Sequence, residues 1–128
     1  MIIFIKKNVI LGHCKIYKEK LIMINISYNF ENDEKNAIIE IEKESIGGIE
    51  AMEFTDIINS VEYDTKMVII DINNIVFISS PGIGMILNAY IILKRKDIKL
   101  KIINASETIK KLFVMTRIDY VISVEYKK

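Results

Sequence analysis

The chain has 128 residues, of which 51% are hydrophobic and 27% charged, with a formal net charge of +1. This length suits one compact domain with a real core and is too short for two ordinary ones, while the near-neutral charge excludes a strong pull towards nucleic acid or acidic membranes. A single cysteine, Cys14, excludes an internal disulfide and fits a reducing cytoplasm, and His13 beside it has no second pair of metal ligands, so no metal site is expected.

Residues 1–22 read as an N-terminal extension or an extra strand. Their apolar residues are interrupted by Lys6, Lys7 and Asn8, whereas a secretory signal needs an unbroken apolar core of about 7–15 residues. No run in the chain approaches the roughly 18 apolar residues of a membrane span. From residue 21 to 30 the pattern alternates, with Ile22, Ile24, Ile26 and Tyr28 on one face. A polar stretch over 31–36 and renewed apolar residues over 37–41 then predict a β-hairpin. Gly47-Gly48 breaks the chain. Residues 49–61 follow with a helical stripe of Ile49, Met52, Phe54, Ile57, Ile58 and Val61.

The stretch 67–93 organises the rest. Val68, Ile69 and Ile70 form a β-branched run that ends at Asp71 and reads as a strand buried on both faces. An Asn73-Asn74 turn and a short apolar run over 75–78 lead to Ser79-Ser80-Pro81-Gly82-Ile83-Gly84, where a helical pattern begins. Pro81 has no backbone donor and a φ fixed near the helical value, which places it at the first helical position and makes Ser80 the N-cap. Gly82 and Gly84 leave that turn bare, so a serine oxygen at the positive end of a helix lies open to a protein or a phosphate. The residues alone leave open whether Ser80 only caps the helix or also meets a ligand. At about 100° per residue the core stripe takes Ile83, Ile86, Leu87 and Tyr90, and Met85, Ala89 and Ile92 fall opposite. A helix that is apolar all round is covered on both sides, here either by residues 1–22 or by a partner protein.

Beyond it, a charge run over 94–97 precedes a strand carrying Ile98, Leu100, Ile102 and Ile103, with Lys99 and Lys101 on a solvated face. These basic positions lack interleaved aromatics, so nucleic acid is not expected as a partner. Asn104 or Ser106 caps a last helix over 107–115 with Ile109, Leu112 and Phe113 inward, and 121–124 form a final short strand or tail. Strands alternating with helices predict an α/β domain built on crossover connections. An enzyme is not expected. The only histidine lies in the N-terminal extension, no Walker-type lysine follows Gly84, and no base stands near the serines.

The segment Phe77-Ile78-Ser79-Ser80-Pro81-Gly82-Ile83-Gly84 resembles the signature of the anti-sigma-factor antagonists of the STAS family (sulphate transporter and anti-sigma factor antagonist). In that signature an apolar strand and an aromatic precede Asp-Ser-Ser/Thr-Gly-Leu-Gly at a helix start. The order of elements over 23–128 is also similar, which implies a STAS domain there: a mixed sheet of four to six strands with about three helices. Asp71, and the turn Arg117-Ile118-Asp119 after the last helix, fit the family in outline. Pro81 departs from it, standing where a second Ser or Thr is usual. The family's acidic residue before the first helix falls at or near Gly47, with Glu44 the closest carboxylate.

The resemblance implies partner switching. Ser80, with Ser79 as second choice, would be phosphorylated by an anti-sigma factor that is also a serine kinase of the switch type, and a metal-dependent serine phosphatase would reset it. The unmodified chain would bind that kinase through Ser79, Ser80, Pro81, Gly82, Ile83, Gly84, Met85, Ala89 and Ile92, freeing a client sigma factor. No cofactor, catalytic residue or membrane insertion is implied, and the expected location is the cytoplasm. The alternative is a STAS module that is not phosphorylated and scaffolds a signalling or transport complex.

Overall fold

The computed structural model describes residues 5–10, 23–47 and 51–128. The alternation after residue 22 becomes two antiparallel strands, Met23–Glu31 and Glu34–Ile41, separated by Asn32 and Asp33 alone. Both turn residues have positive φ, 53° and 64°, the geometry of a two-residue type I′ turn, which Asn and Asp tolerate and whose twist matches that of the strands it joins. The polar loop expected over 31–36 is therefore mostly strand.

In chain order the elements are β1 (Ile5–Ile10), β2 (Met23–Glu31), β3 (Glu34–Ile41), β4 (Ser45–Ile46), α1 (Ala51–Asn59), β5 (Thr65–Asp71), β6 (Phe77–Ile78), α2 (Ser80–Arg95), β7 (Lys99–Ala105), α3 (Glu107–Thr116), the single turn α4 (Ile118–Val121) and β8 (Ser123–Tyr126). Six strands form one sheet in the order β1-β2-β3-β5-β7-β8, and β4 pairs with β6 in a separate parallel ribbon. β2 runs antiparallel to both of its neighbours, β1 and β3, and β3, β5, β7 and β8 run parallel. β1 adds to the free edge of β2, with Ile10 opposite Met23. Residues 1–4 and 11–22, with His13 and Cys14, and residues 48–50, with Gly48 and Ile49, lie outside the described residues.

From β3 to β8 each crossover steps the same way across the sheet. Right-handed connections then put every crossover helix on one face. Burial agrees: Ala37, Ile39, Val68, Ile70, Leu100 and Ile102 are buried in a cluster with Phe54, Ile57, Ile86, Leu93, Ile109 and Phe113 of the helices. Their neighbours Ile38, Met67, Ile69 and Ile103 stay half-exposed on the other face. The expectation that β5 is buried on both faces is thus corrected. Its Val-Ile-Ile run cannot by itself say whether a second helical layer exists, and the one-directional strand order supplies none.

Two departures are local. Met52, placed on the inward stripe of α1, is exposed, while Phe54, Ile57, Ile58 and Val61 are buried as the pattern requires. Ser106, not Asn104, caps α3, its hydroxyl accepting from the Ile109 amide at 3.2 Å. Asn104 instead donates to the Asp71 carboxylate at 3.0 Å.

One charged side chain is drawn into the structure. Lys35, only 10% exposed at its side chain, donates to Glu62 at 2.7 Å and Asp64 at 3.1 Å and lies 4.8 Å from the centre of the Tyr28 ring. Burial pulls its pKa down, but the hydrogen bonds and charges of the two carboxylates outweigh that and hold it above its ordinary 10.5. A raised amine pKa contributes stability that is complete below the unfolded value and lost as pH rises through the folded one. The stability difference between the native chain and Lys35→Gln, measured by urea unfolding, should therefore be constant around neutrality and shrink as pH passes about 10.5.

Candidate functional site

Asp71 closes β5, and its carboxylate accepts from the Asn73 amide at 2.9 Å, which turns the chain through Asn73 and Asn74. The next segment is gripped by main chain from before α1. The Val76 and Phe77 amides donate to the Glu44 carbonyl at 2.7 and 3.2 Å, and the Ser79 amide donates to the Ile46 carbonyl at 3.0 Å. Glu44, the carboxylate expected nearest this loop, therefore supports it through its backbone oxygen.

The two serines divide the work in a way the sequence reading reverses. Ser79, with φ −77° and ψ 170°, is the N-cap of α2; its hydroxyl accepts from the Gly82 amide at 3.3 Å and donates to the Ile46 carbonyl at 3.2 Å. Its carbonyl receives the Ile83 amide at 2.9 Å. Ser80 is the first helical residue and Pro81 the second, both exposed. The cap thus lies one residue earlier than expected. Proline is equally compatible with the second helical position, because that amide too lacks an intrahelical acceptor, so proline alone does not fix the frame. The hydroxyl pinned by the fold belongs to Ser79, and that of Ser80 faces outward from the turn.

Gly82 and Gly84 differ as well. A Cβ on Gly82 would stand 2.7 Å from the Ile46 carbonyl oxygen and 2.8 Å from Ile78 Cγ2, whereas one on Gly84 would meet nothing within 4 Å. Gly82 is where the helix start touches the β4–β6 ribbon, and that contact sets how α2 is rotated about its axis. The inward side consists of Gly82, Met85, Ile86, Ala89 and Leu93, with Ile83, Leu87, Tyr90 and Ile92 packed partly against the core.

Met85 and Ala89, at 4% and 1% exposure, are core residues, and Ile92 is half-buried. Their burial corrects the assignment of Met85 and Ala89 to a partner-binding side. Sheet and α1 cover most of the circumference of α2, so an almost uniformly apolar wheel could not reveal which arc faced inward. The exposed arc is Ser80, Pro81, Gly84, Asn88 and Ile91. Before it in the chain stand two apolar side chains of the short run over 75–78, Val76 at 60% and Phe77 at 59% exposure. The run over 75–78 points Ile75 and Ile78 inward and the middle pair out, a pattern with neither strand nor helix period to announce it.

The basic run after α2 also has a structural use. Lys96 donates to the Asn59 and Val61 carbonyls at 2.7 and 3.2 Å, closing the end of α1. Among the described residues no group of three or more His, Cys, Asp and Glu side chains is placed to hold a metal, and no helix is long and apolar enough to cross a membrane.

The STAS domain family profile matches residues 27–127. The chain belongs to this family. The STAS domain superposes on a crystal structure of an anti-sigma factor antagonist from Mycobacterium paratuberculosis with a TM-score of 0.62 at 14% identity, covering 80% of this chain and 85% of the other. It matches an anti-sigma-factor antagonist (STAS) domain protein from Planctomyces limnophilus with the same score at 17% identity, covering 80% and 91%. At these identities the likeness is one of fold. No curated protein matches the chain significantly.

Two mutational results follow from the loop. Ser79→Ala should cost about 0.5–2 kcal/mol in urea unfolding, the usual loss for an N-cap, and Ser80→Ala should stay within roughly 0.5 kcal/mol. Gly82→Ala should cost about 1–3 kcal/mol because backbone must move, whereas Gly84→Ala should gain roughly 0.5–1 kcal/mol from helix propensity.

Proposed function

We propose that this STAS domain is an anti-sigma-factor antagonist that works by partner switching, with Ser80 as the phosphorylated residue. The observation that carries the reading is the division of labour at the helix start. Ser79 has a structural duty that a phosphate would destroy, and Ser80 sits exposed one residue on, beside outward Val76 and Phe77. The structural neighbours described as anti-sigma factor antagonists support the same reading.

Unmodified, the loop docks onto an anti-sigma factor that is also a serine kinase, through Val76, Phe77, Ser80, Pro81 and Gly84, and frees the client sigma factor. Phosphorylation adds between about 1.5 and 2 negative charges near neutral pH. Within the monomer the start of α2 tolerates them, because a helix N-terminus favours an anion by about 0.3–1 kcal/mol. The monomer does not neutralise them, however. Pro81 has no N–H, and the amides of Gly82 and Ile83 are taken by Ser79. At an interface matched to a neutral hydroxyl, burying that charge without a partner costs several kcal/mol. Moving a binding equilibrium from 1:99 to 99:1 needs about 5.5 kcal/mol, so the penalty has the right size. A metal-dependent serine phosphatase returns the hydroxyl.

Phosphopeptide mass spectrometry of the protein from its native cells is expected to place phosphate on Ser80, to find it still there in Ser79→Ala, and to find none in Ser80→Ala. Phosphate that moves with Ser79, or that is absent under every growth condition, would overturn the switch and leave a constitutive scaffold.

A further inference from the structure

Among the described residues no helix packs on the sheet face opposite the core, and the strand registers set out what that face holds. β5 contributes Met67, Ile69 and Asp71. Ile38 and Glu40 of β3 stand beside Ile69 and Asp71 on one side. On the other side Lys99, Lys101 and Ile103 of β7 stand beside Met67, Ile69 and Asp71 in turn. All are half-exposed except Lys99, which is exposed. On β2 the same face holds Asn25 and Ser27, both buried, so its open part begins at β3.

This arrangement is self-complementary. When a second copy is turned over about the line from Ile69 to Ile103, which runs diagonally across the strands, its Lys99 falls opposite Glu40, its Lys101 opposite Asp71 and its Met67 opposite Ile38. Ile69 and Ile103 each fall on themselves. With strands about 4.8 Å apart and residues of one face about 6.7 Å apart along a strand, each exchanged position meets its counterpart to within about 3 Å, a mismatch that long side chains absorb. We propose that this face is a two-fold interface between two copies of this chain. A two-fold contact requires such an exchange, with residue i against j and j against i. The diagonal axis crosses the two sets of strands near a right angle, one of the two stable ways in which sheets stack.

The charges decide for a second copy over a foreign partner. A face that mixes acids and lysines offers a ligand of either sign as much repulsion as attraction, whereas its own copy meets each of these charges with the opposite one. Glu40 and Lys99 have no ion-pair partner among the described residues, and the dimer supplies one for each. Lys101 already bonds Glu125, and Asp71 already accepts from the Asn73 amide and Asn104, so their pairing across the axis adds less. The four strands from β3 to β8 cover about 20 by 20 Å, roughly 400 Å² per copy, against about 800 Å² per partner in a standard stable interface. The dimer is therefore weak and concentration-dependent. Its helices face outward, so both Ser80 loops stay open to other proteins, and the interface does not depend on the phosphorylation switch.

The test is sedimentation equilibrium of the full chain from about 10 µM to about 1 mM, over which a reversible monomer–dimer equilibrium is expected. Glu40→Lys alone and Lys99→Glu alone should each weaken the dimer at least about tenfold, because each sets like charges against one another at both ends of the interface. Mixed in equal amounts, the two variants should dimerise about as well as the native chain, since each then meets its complement at both ends. Mixing would not repair a merely structural effect of either substitution, and unchanged amide spectra verify that both fold. Ser80→Asp should dimerise as the native chain does, which separates failure of this proposal from failure of the switch. The proposal is overturned if the native chain stays monomeric up to about 1 mM, if either variant alone dimerises unchanged, or if mixing restores nothing. A nitroxide on Cys14, the sole cysteine, that broadens the Ile38 and Ile69 amides equally at every concentration would give the face to residues 11–22 and overturn it as well.

Discussion

The architecture of the serine loop depends on one close approach, that of the Gly82 backbone to the Ile46 carbonyl and Ile78. Only a residue without Cβ allows it. That contact brings the start of α2 against the β4–β6 ribbon, lets the Ser79 hydroxyl bridge the Gly82 amide and the Ile46 carbonyl, and fixes the rotation that sends Met85 and Ala89 inward. Ser80 faces out because its neighbour faces in. The exposed serine is the remainder of a packing problem solved by Ser79 and Gly82.

The sheet imposes a second constraint. In parallel α/β folds with helices on both faces, a ligand crevice opens where the strand order reverses. Here the order from β3 to β8 never reverses, so no such crevice forms and the helical layer is one-sided. What remains for recognition are the turns at the carboxyl ends of the strands, where the serines are, and the sheet face that, among the described residues, carries no helix.

The elements most legible in the sequence were those with a strong local period or a terminator. β2 announces itself by alternation, the second half of β3 by its apolar residues, α3 by its Ile109 and Phe113 spacing, and the strand–loop–helix around Ser80 by the proline and glycines. What stayed hidden depended on contacts distant in sequence. Nothing near Ser80 says that Ile46, over thirty residues earlier, would hold the preceding serine and shift the helix frame by one. Nor can an apolar wheel show which arc of α2 meets the sheet, since α1 covers a second arc. The outward turn of Val76 and Phe77 follows from the two-residue pairing of Ser45-Ile46 with Phe77-Ile78, too short to impose a period. The family resemblance compared whole motifs, and it could not say which serine was bound by the fold.

The β2–β3 hairpin also shapes how the chain reaches this structure. Its Asn32-Asp33 turn closes locally, on the microsecond scale of such motifs. Apart from the edge strand β1, every other strand pair joins segments that must first be linked by a crossover, and pairings of that kind are slow because loop entropy is lost before contacts are gained. The ribbon that carries the serine loop is only two residues long on each side. It therefore has few ladder hydrogen bonds of its own, and the serine loop is held instead by the burial of Ile46, Ile75 and Ile78 and by the main-chain bonds to the Glu44 and Ile46 carbonyls, so its position depends on the core as a whole.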